Sequence, residues 1–233
     1  MTRLCFLIIF LCFFVIFSSF AQTTGSHPYV IRGEVYVDLE PIYAGFVDHE
    51  YPLNISSASR RALEESALFF SAMIYGWKFF YEPGERARQI SENLELEPIG
   101  RIQFGDPALR VTDTQLRDTQ LVLWADYLLS NVQQQRMLMW RSGTVRNAQG
   151  LGFGPSHLDE YPGWLAIKEM ALEDAARAAI RAILQGSERN RPKEASGFIS
   201  LTSFPRFYID SGRWAVSARF RVQIIEVIPF AVH

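Results

Sequence analysis

Cysteine is nearly absent: the 233 residues contain two, Cys5 and Cys12, both within the first 21. If that segment is an export signal, the remaining chain has none. Disulfides, thiol nucleophiles and cysteine metal sites are then excluded together. Lysine is also scarce, with only Lys78, Lys168 and Lys193, so the positive charge is almost all arginine, which favours fixed, forked ion pairs. The formal net charge is −2, and no basic block follows the pattern of a phosphate-binding surface, so nucleic acid is not expected as a partner. Gly at 15 and Pro at 11 leave no room for a collagen-like or low-complexity body.

One long apolar run is present. Leu4 to Phe17 follows Arg3 and leads to Ser19-Phe20-Ala21, which places small residues before a cut at Gln22. This is the layout of a secretory signal peptide over residues 1–21. It is short for a membrane span, which needs about 20 apolar residues. Cys12 follows Phe10-Leu11 with no small residue before it, unlike a lipoprotein signal. A cysteine-free exported chain points to the bacterial periplasm or cell envelope, with membrane contact only through the signal if it stays uncleaved. Part of the 48% apolar content and the mean hydropathy of +0.02 therefore belongs to the signal rather than to the 22–233 domain.

Within that domain, Ile31 to Glu40 alternates with period two, as a half-buried strand does. Ser56, Ser57 and Ser59 offer N-caps for a helix from Ala58 to about Tyr81, where Leu63, Ala67, Phe70, Ile74, Trp77 and Tyr81 recur at helical spacing before Pro83-Gly84. A polar helix is expected over 85–96. Strands are expected at 101–104, 108–112, 119–129 and 135–145, although Met137 to Trp140 alone also suits a helix. A loop rich in glycine follows to Gly163, then a helix from Gly163 or Trp164 to Gln185 capped by Gly186. After a charged linker, short strands are expected at 197–201 and 206–209. The last strand presents Trp214, Val216, Ala218, Phe220, Val222 and Ile224 on one face, and its phase slips at Ile224-Ile225, which fits either a bulge or a strand becoming buried on both sides. The expected class is α+β, a mixed or antiparallel sheet covered by two long helices.

The two long helices share a segment: Ala62-Leu63-Glu64-Glu65-Ser66-Ala67 against Ala171-Leu172-Glu173-Asp174-Ala175-Ala176. One explanation is a duplicated strand-helix-strand-strand unit in halves 30–130 and 135–230, and the other is coincidence in alanine-rich helices. The second of these units, with Ala171, Ala175, Ala176 and Ala179 on its helix before a long amphipathic strand, resembles the small domains of FlgT-type flagellar assembly proteins and related bacterial envelope lipoproteins. The resemblance covers Trp164 to Val227. It implies an envelope structural or assembly factor rather than an enzyme, and the missing lipoprotein cysteine departs from the lipoprotein members.

Catalytic patterns fail at the residues they need. Gly150-Leu151-Gly152-Phe153-Gly154-Pro155 puts Pro155 where a dinucleotide fingerprint needs glycine, and reads instead as a flexible or bulged segment able to line a partner site. His49-Glu50 lacks the second histidine of a zinc-protease helix, and His157 with Asp159 and Glu160 is too local for a metal site. Ser142-Gly143 and Ser211-Gly212 are turn dipeptides. Glu64-Glu65 and Glu173-Asp174 are adjacent on helices and point about 100° apart, so neither pair clasps one atom; solvation or pairing with Arg60, Arg61 and Arg177 accounts for them. No cofactor, metal or catalytic residue is expected.

Two features remain. The first long helix carries aromatics all round, which leaves Tyr75 and Phe79 off the core stripe as candidates for a partner surface. On the last strand, Arg213, Arg219 and Arg221 share a face. That face is either solvated beside acidic cross-strand neighbours or a surface for an anionic partner. The expected function is a non-enzymatic periplasmic or envelope protein acting through protein contacts. The alternative is a binding module for an apolar or anionic small molecule.

Overall fold

The computed structural model describes residues 29–41, 50–84, 89, 91–156, 162–187 and 192–229, so the signal segment, His49, His157, Asp159 and Glu160 lie outside the described residues. Within them the chain forms β1 (Val30–Asp38), α1 (Ile55–Ile74), β2 (Trp77–Glu82), β3 (Asn93–Pro98), β4 (Leu109–Arg117), β5 (Gln120–Leu128), α2 (Asn131–Met139), β6 (Val145–Phe153), α3 (Trp164–Ser187), β7 (Pro192–Leu201), β8 (Arg206–Asp210) and β9 (Arg213–Pro229). The class is α+β, dominated by sheet.

The strands make two antiparallel sheets. Three lie in the order β1-β5-β4, and six in the order β3-β2-β7-β9-β6, with β8 beside β9. A single sheet under two helices was expected; instead α1 packs on β1 and β5 while α3 packs on β6 and β9. Both helices feed one continuous core. Phe69 and Phe70 of α1 meet Phe204 from the turn before β8, at ring separations of 5.0 and 4.7 Å, and Phe207 stacks on Phe69 at 5.8 Å. No helix among the described residues is long and apolar enough to cross a membrane.

Several expected elements change identity, each for a local reason. Helix α1 is capped by Asn54, whose side chain accepts the Ser57 N–H at 2.8 Å, not by a serine. It stops at Ile74 instead of Tyr81. Gly76 takes φ +64°, and a Cβ there would stand 2.0 Å from the Ile199 carbonyl oxygen, so only glycine allows the chain to turn into the sheet. The aromatic run then becomes β2, with Trp77, Phe79 and Tyr81 buried and Lys78 exposed. Residues 93–96, expected at the end of a polar helix, belong instead to β3 against β2. Residues 101–104 form no strand.

The segment expected as a strand over 135–145 holds α2. Ser130 accepts the Gln133 N–H while the Gln133 side chain accepts the Ser130 N–H at 2.8 Å, a reciprocal cap that starts the helix. Ser130→Ala is expected to cost about 1 kcal/mol, measurable by urea denaturation; an unchanged midpoint would show that the cap does not hold α2. The glycine-rich segment expected as a loop is strand β6 through Phe153, laid directly under α3.

Strands β1 and β9 match their alternation, and of the two readings of the phase slip in β9 the register shows the bulge. Ser196 faces Glu226 while Gly197 faces Ile224, which leaves Ile225 extra on β9.

Candidate functional site

Two regions concentrate polar chemistry. The first is a cleft where α1, α3, β1 and β8 converge. Glu65 of α1 was expected to be solvated or paired to an arginine. It is instead buried, and the Lys168 ammonium on α3 donates to it at 2.7 Å. Lys168 also stands 4.9 Å from the Trp214 ring centroid and 5.3 Å from that of Phe207. Burial pushes the Glu65 carboxyl above its ordinary value and Asp38 adds to this, while Lys168 pulls it back down.

One turn earlier, the Arg61 guanidinium lies over the rings of Tyr51 (5.4 Å) and Trp164 (5.0 Å) and pairs with Glu50 at 2.6 Å. Arg206 covers Tyr36 at 4.3 Å, and the hydrogen bond from Tyr36 to Glu34 raises the phenol pKa. Each cation therefore already occupies an aromatic face, and the space left between these groups is small, enough for a few waters. The cleft fastens two helices to two strand edges. The other helix carboxylates are also engaged: Glu64 pairs with Arg60 at 2.9 Å, Glu173 with Arg177 at 3.5 Å, and Asp174 accepts the Phe153 N–H at 3.0 Å. Among the described residues no group of three His, Cys, Asp or Glu is arranged to hold a metal ion.

The second region is the outer side of α2 and the adjoining open face of the larger sheet. Helix α2 packs through Gln133 and Met137, followed by Trp140. Gln133 is tolerated inside because its amide donates to the Tyr75 hydroxyl at 2.8 Å and the Tyr127 hydroxyl at 3.1 Å. Burial is the first cause raising the Tyr127 pKa, and its hydroxyl donates to Asp106 at 3.1 Å. With polar groups serving the inner side, Val132 (80% exposed), Leu138 (51%) and Met139 (60%) face outward with Asn131 and Gln135, and none of these five residues is charged. The Ser130-to-Gln133 spacing was the sequence signal that could have revealed this helix.

The structure separates the residues singled out by sequence. Phe79 is 1% exposed in the core and offers no surface, because residue 79 belongs to a strand rather than to the flank of a helix. Tyr75 is half-buried at the end of α1, held by Gln133 and covered by Arg136 at 5.9 Å. Arg213 lies over Phe153 at 4.8 Å. It sits about 26 Å along β9 from Arg221, so the three arginines are a row and not a cluster. Arg219 faces Gln149, and Arg221 lies between Asn147 and Ser200; none of these neighbours is acidic.

A protein-family model matches residues 19–230. The chain belongs to that family. A protein of Treponema pallidum (strain Nichols), described as an uncharacterized protein, is 26% identical over 170 residues, which cover 73% of this chain and 69% of its own. No solved structure matches. Neither match brings a catalytic activity with it.

Proposed function

We propose that this is a non-enzymatic, exported, envelope-associated protein that acts through protein contacts, with the outer face of α2 as the contact surface. The carrying observation is that face: three exposed apolar side chains on a short helix without a charge among them. Interfaces are depleted of charge and enriched in methionine at their centres. The signal-like first 21 residues and the resemblance of Trp164–Val227 to FlgT-type domains support the compartment and the assembly role. The small-molecule alternative is less well supported, since Phe79 sits in the core and Gly150 and Gly152 lie under α3.

The proposal includes an origin by duplication. In the first half β1 and β4 flank β5, with α1 following β1; in the second, β6 and β8 lie beside β9, with α3 following β6. The halves differ in the strand after each helix, because β2 leaves the first sheet and pairs with β7 of the other half. That exchange merges the two units into one body.

The test places a photocrosslinking residue at Val132 and, separately, at Met139 in the protein within its native envelope. One partner is expected at both positions, with the Val132 adduct reduced at least tenfold by Leu138→Glu. Recovery of the free monomer alone from both positions would reject the proposal.

A further inference from the structure

The larger sheet has two unlike faces. Gly150 and Gly152 lie against the backbone of α3, and the residues opposite them in the register, Ala218 and Val216, are buried on the same side. That side of β2 buries Trp77, Phe79 and Tyr81, which reach it through the pairing of Trp77 with Ile199 and of Ile199 with Val222. Residues of the other parity point away from α3. There Glu95, Glu97, Gln149 and Arg219 are exposed, and Phe80 and Phe198 are half-buried.

The register maps this outward face. Glu97, Lys78, Phe198 and Gln223 form one row across β3, β2, β7 and β9. Glu95 and Phe80 stand in the next row on one side, while Arg221 and then Arg219 follow along β9 on the other. Even with Lys78 counted, the β3 side is net negative, and the β9 side carries two arginines. Between them, Phe80 and Phe198 are diagonal neighbours on adjacent strands, about 7 Å apart. An apolar centre inside a charged rim is the anatomy of a protein interface.

We infer that this face binds a second copy of the chain, about a two-fold axis that lies between the sheets and passes at Phe198. Glu97 is two strand spacings from Phe198, about 10 Å, and Arg221 lies diagonally from it in the opposite direction at about 8 Å. The rotation therefore sets Glu97 of each copy opposite Arg221 of the other and brings the two Phe198 rings together. A face of one sign would select a different partner. A face with acid and base nearly equidistant from an apolar centre is its own complement, which a two-fold contact requires. Five strands about 4.8 Å apart and about 20 Å long give a plan area of roughly 400 Å². That is below the roughly 800 Å² per partner of a standard complex, so the dimer is weak and salt-sensitive. It leaves the outer face of α2 free.

The test is sedimentation velocity of the purified mature protein from about 10 µM to about 1 mM, the range in which a weak contact forms. The wild type is expected to shift from monomer to dimer, and to dimerise at least threefold more weakly in high salt. Glu97→Arg and Arg221→Glu should each weaken the dimer at least tenfold. Mixing these two variants should restore a dimer, because one then carries two arginines at these positions and the other two glutamates. Leu138→Glu on α2 should change nothing. A wild type that stays monomeric throughout would overturn the inference, and that result needs no variant to fold. It would also be overturned by a dimer that survives both charge reversals, by mixed variants that stay monomeric though each is folded by circular dichroism, or by a dimer lost in Leu138→Glu.

Discussion

Lys168→Met is expected to destabilise the protein by about 3–5 kcal/mol at neutral pH, because it removes the ammonium hydrogen-bonded to the buried Glu65 carboxylate. Methionine keeps the volume and the apolar stem against Trp214 and Phe207, so the loss reports on charge and not on a cavity. Glu65 then faces Asp38 with no cation to offset its desolvation.

The pH dependence follows from the raised carboxyl. A carboxyl raised on folding contributes stability that is complete below its ordinary value of 4.5 and is lost as pH rises through the folded-state value. In Lys168→Met the attraction that lowers the folded value is gone, so the loss extends further up the pH scale. The penalty should therefore shrink as pH falls toward 4.5. Glu65→Leu combined with Lys168→Met should recover most of it, since a well-packed apolar pair replaces a buried ion pair at little cost. Urea denaturation of the wild type and both variants between pH 5 and 8 measures this. A penalty independent of pH would show that an uncompensated Glu65 is not its source.

Gly152→Val should be at least as damaging, costing about 3 kcal/mol or more or preventing folding. A Cβ at position 152 would lie 2.1 Å from the Ala175 nitrogen and 2.2 Å from the Ala171 oxygen, both backbone atoms of α3. At Gly150 the corresponding contact is 1.8 Å from the Ala175 oxygen. No rotamer change relieves a clash with helix backbone, so α3 would have to lift from β6, exposing the alanine stripe Ala171, Ala175, Ala176 and Ala179, each fully buried. Gly143→Ala is the control. A Cβ there meets nothing within 4 Å, and the change should stay within about 0.5 kcal/mol. Comparable midpoints for the two variants in thermal or urea unfolding would refute the close-packing account of the glycine run.

The glycine run also shows where sequence reading stops. Glycine in a strand means either slack or close approach. The two differ only in what lies opposite, and here that is helix backbone from Ala171 onward, well beyond the strand's own neighbourhood in the chain. The aromatic segment poses the same problem. Trp77, Phe79 and Tyr81 fit a strand by period two, while Trp77 and Tyr81 also continue the helical spacing from Ile74. The deciding facts are Gly76 at positive φ and the edge of β7, to which β2 pairs. Tyr75 and Phe79 were singled out on the helical phase, and the switch of period at Gly76 places Phe79 inside.

Other parts depend on patterns that do not need a distant partner. The alternation in β1 and β9, the alanine face of α3 and the slip of phase at Ile225 were set by residues a few positions apart, since side-chain direction in a strand or helix is fixed locally. The sequence by itself therefore determined the export-like start, the absence of cysteine chemistry in the domain and the strongest amphipathic elements. Only the tertiary structure decided that the helices serve two sheets and that Lys168 answers Glu65 from 103 residues away. Contacts of that kind depend on which chain segments the fold brings together, and a desolvated charge becomes costly or useful only once its neighbours are in place.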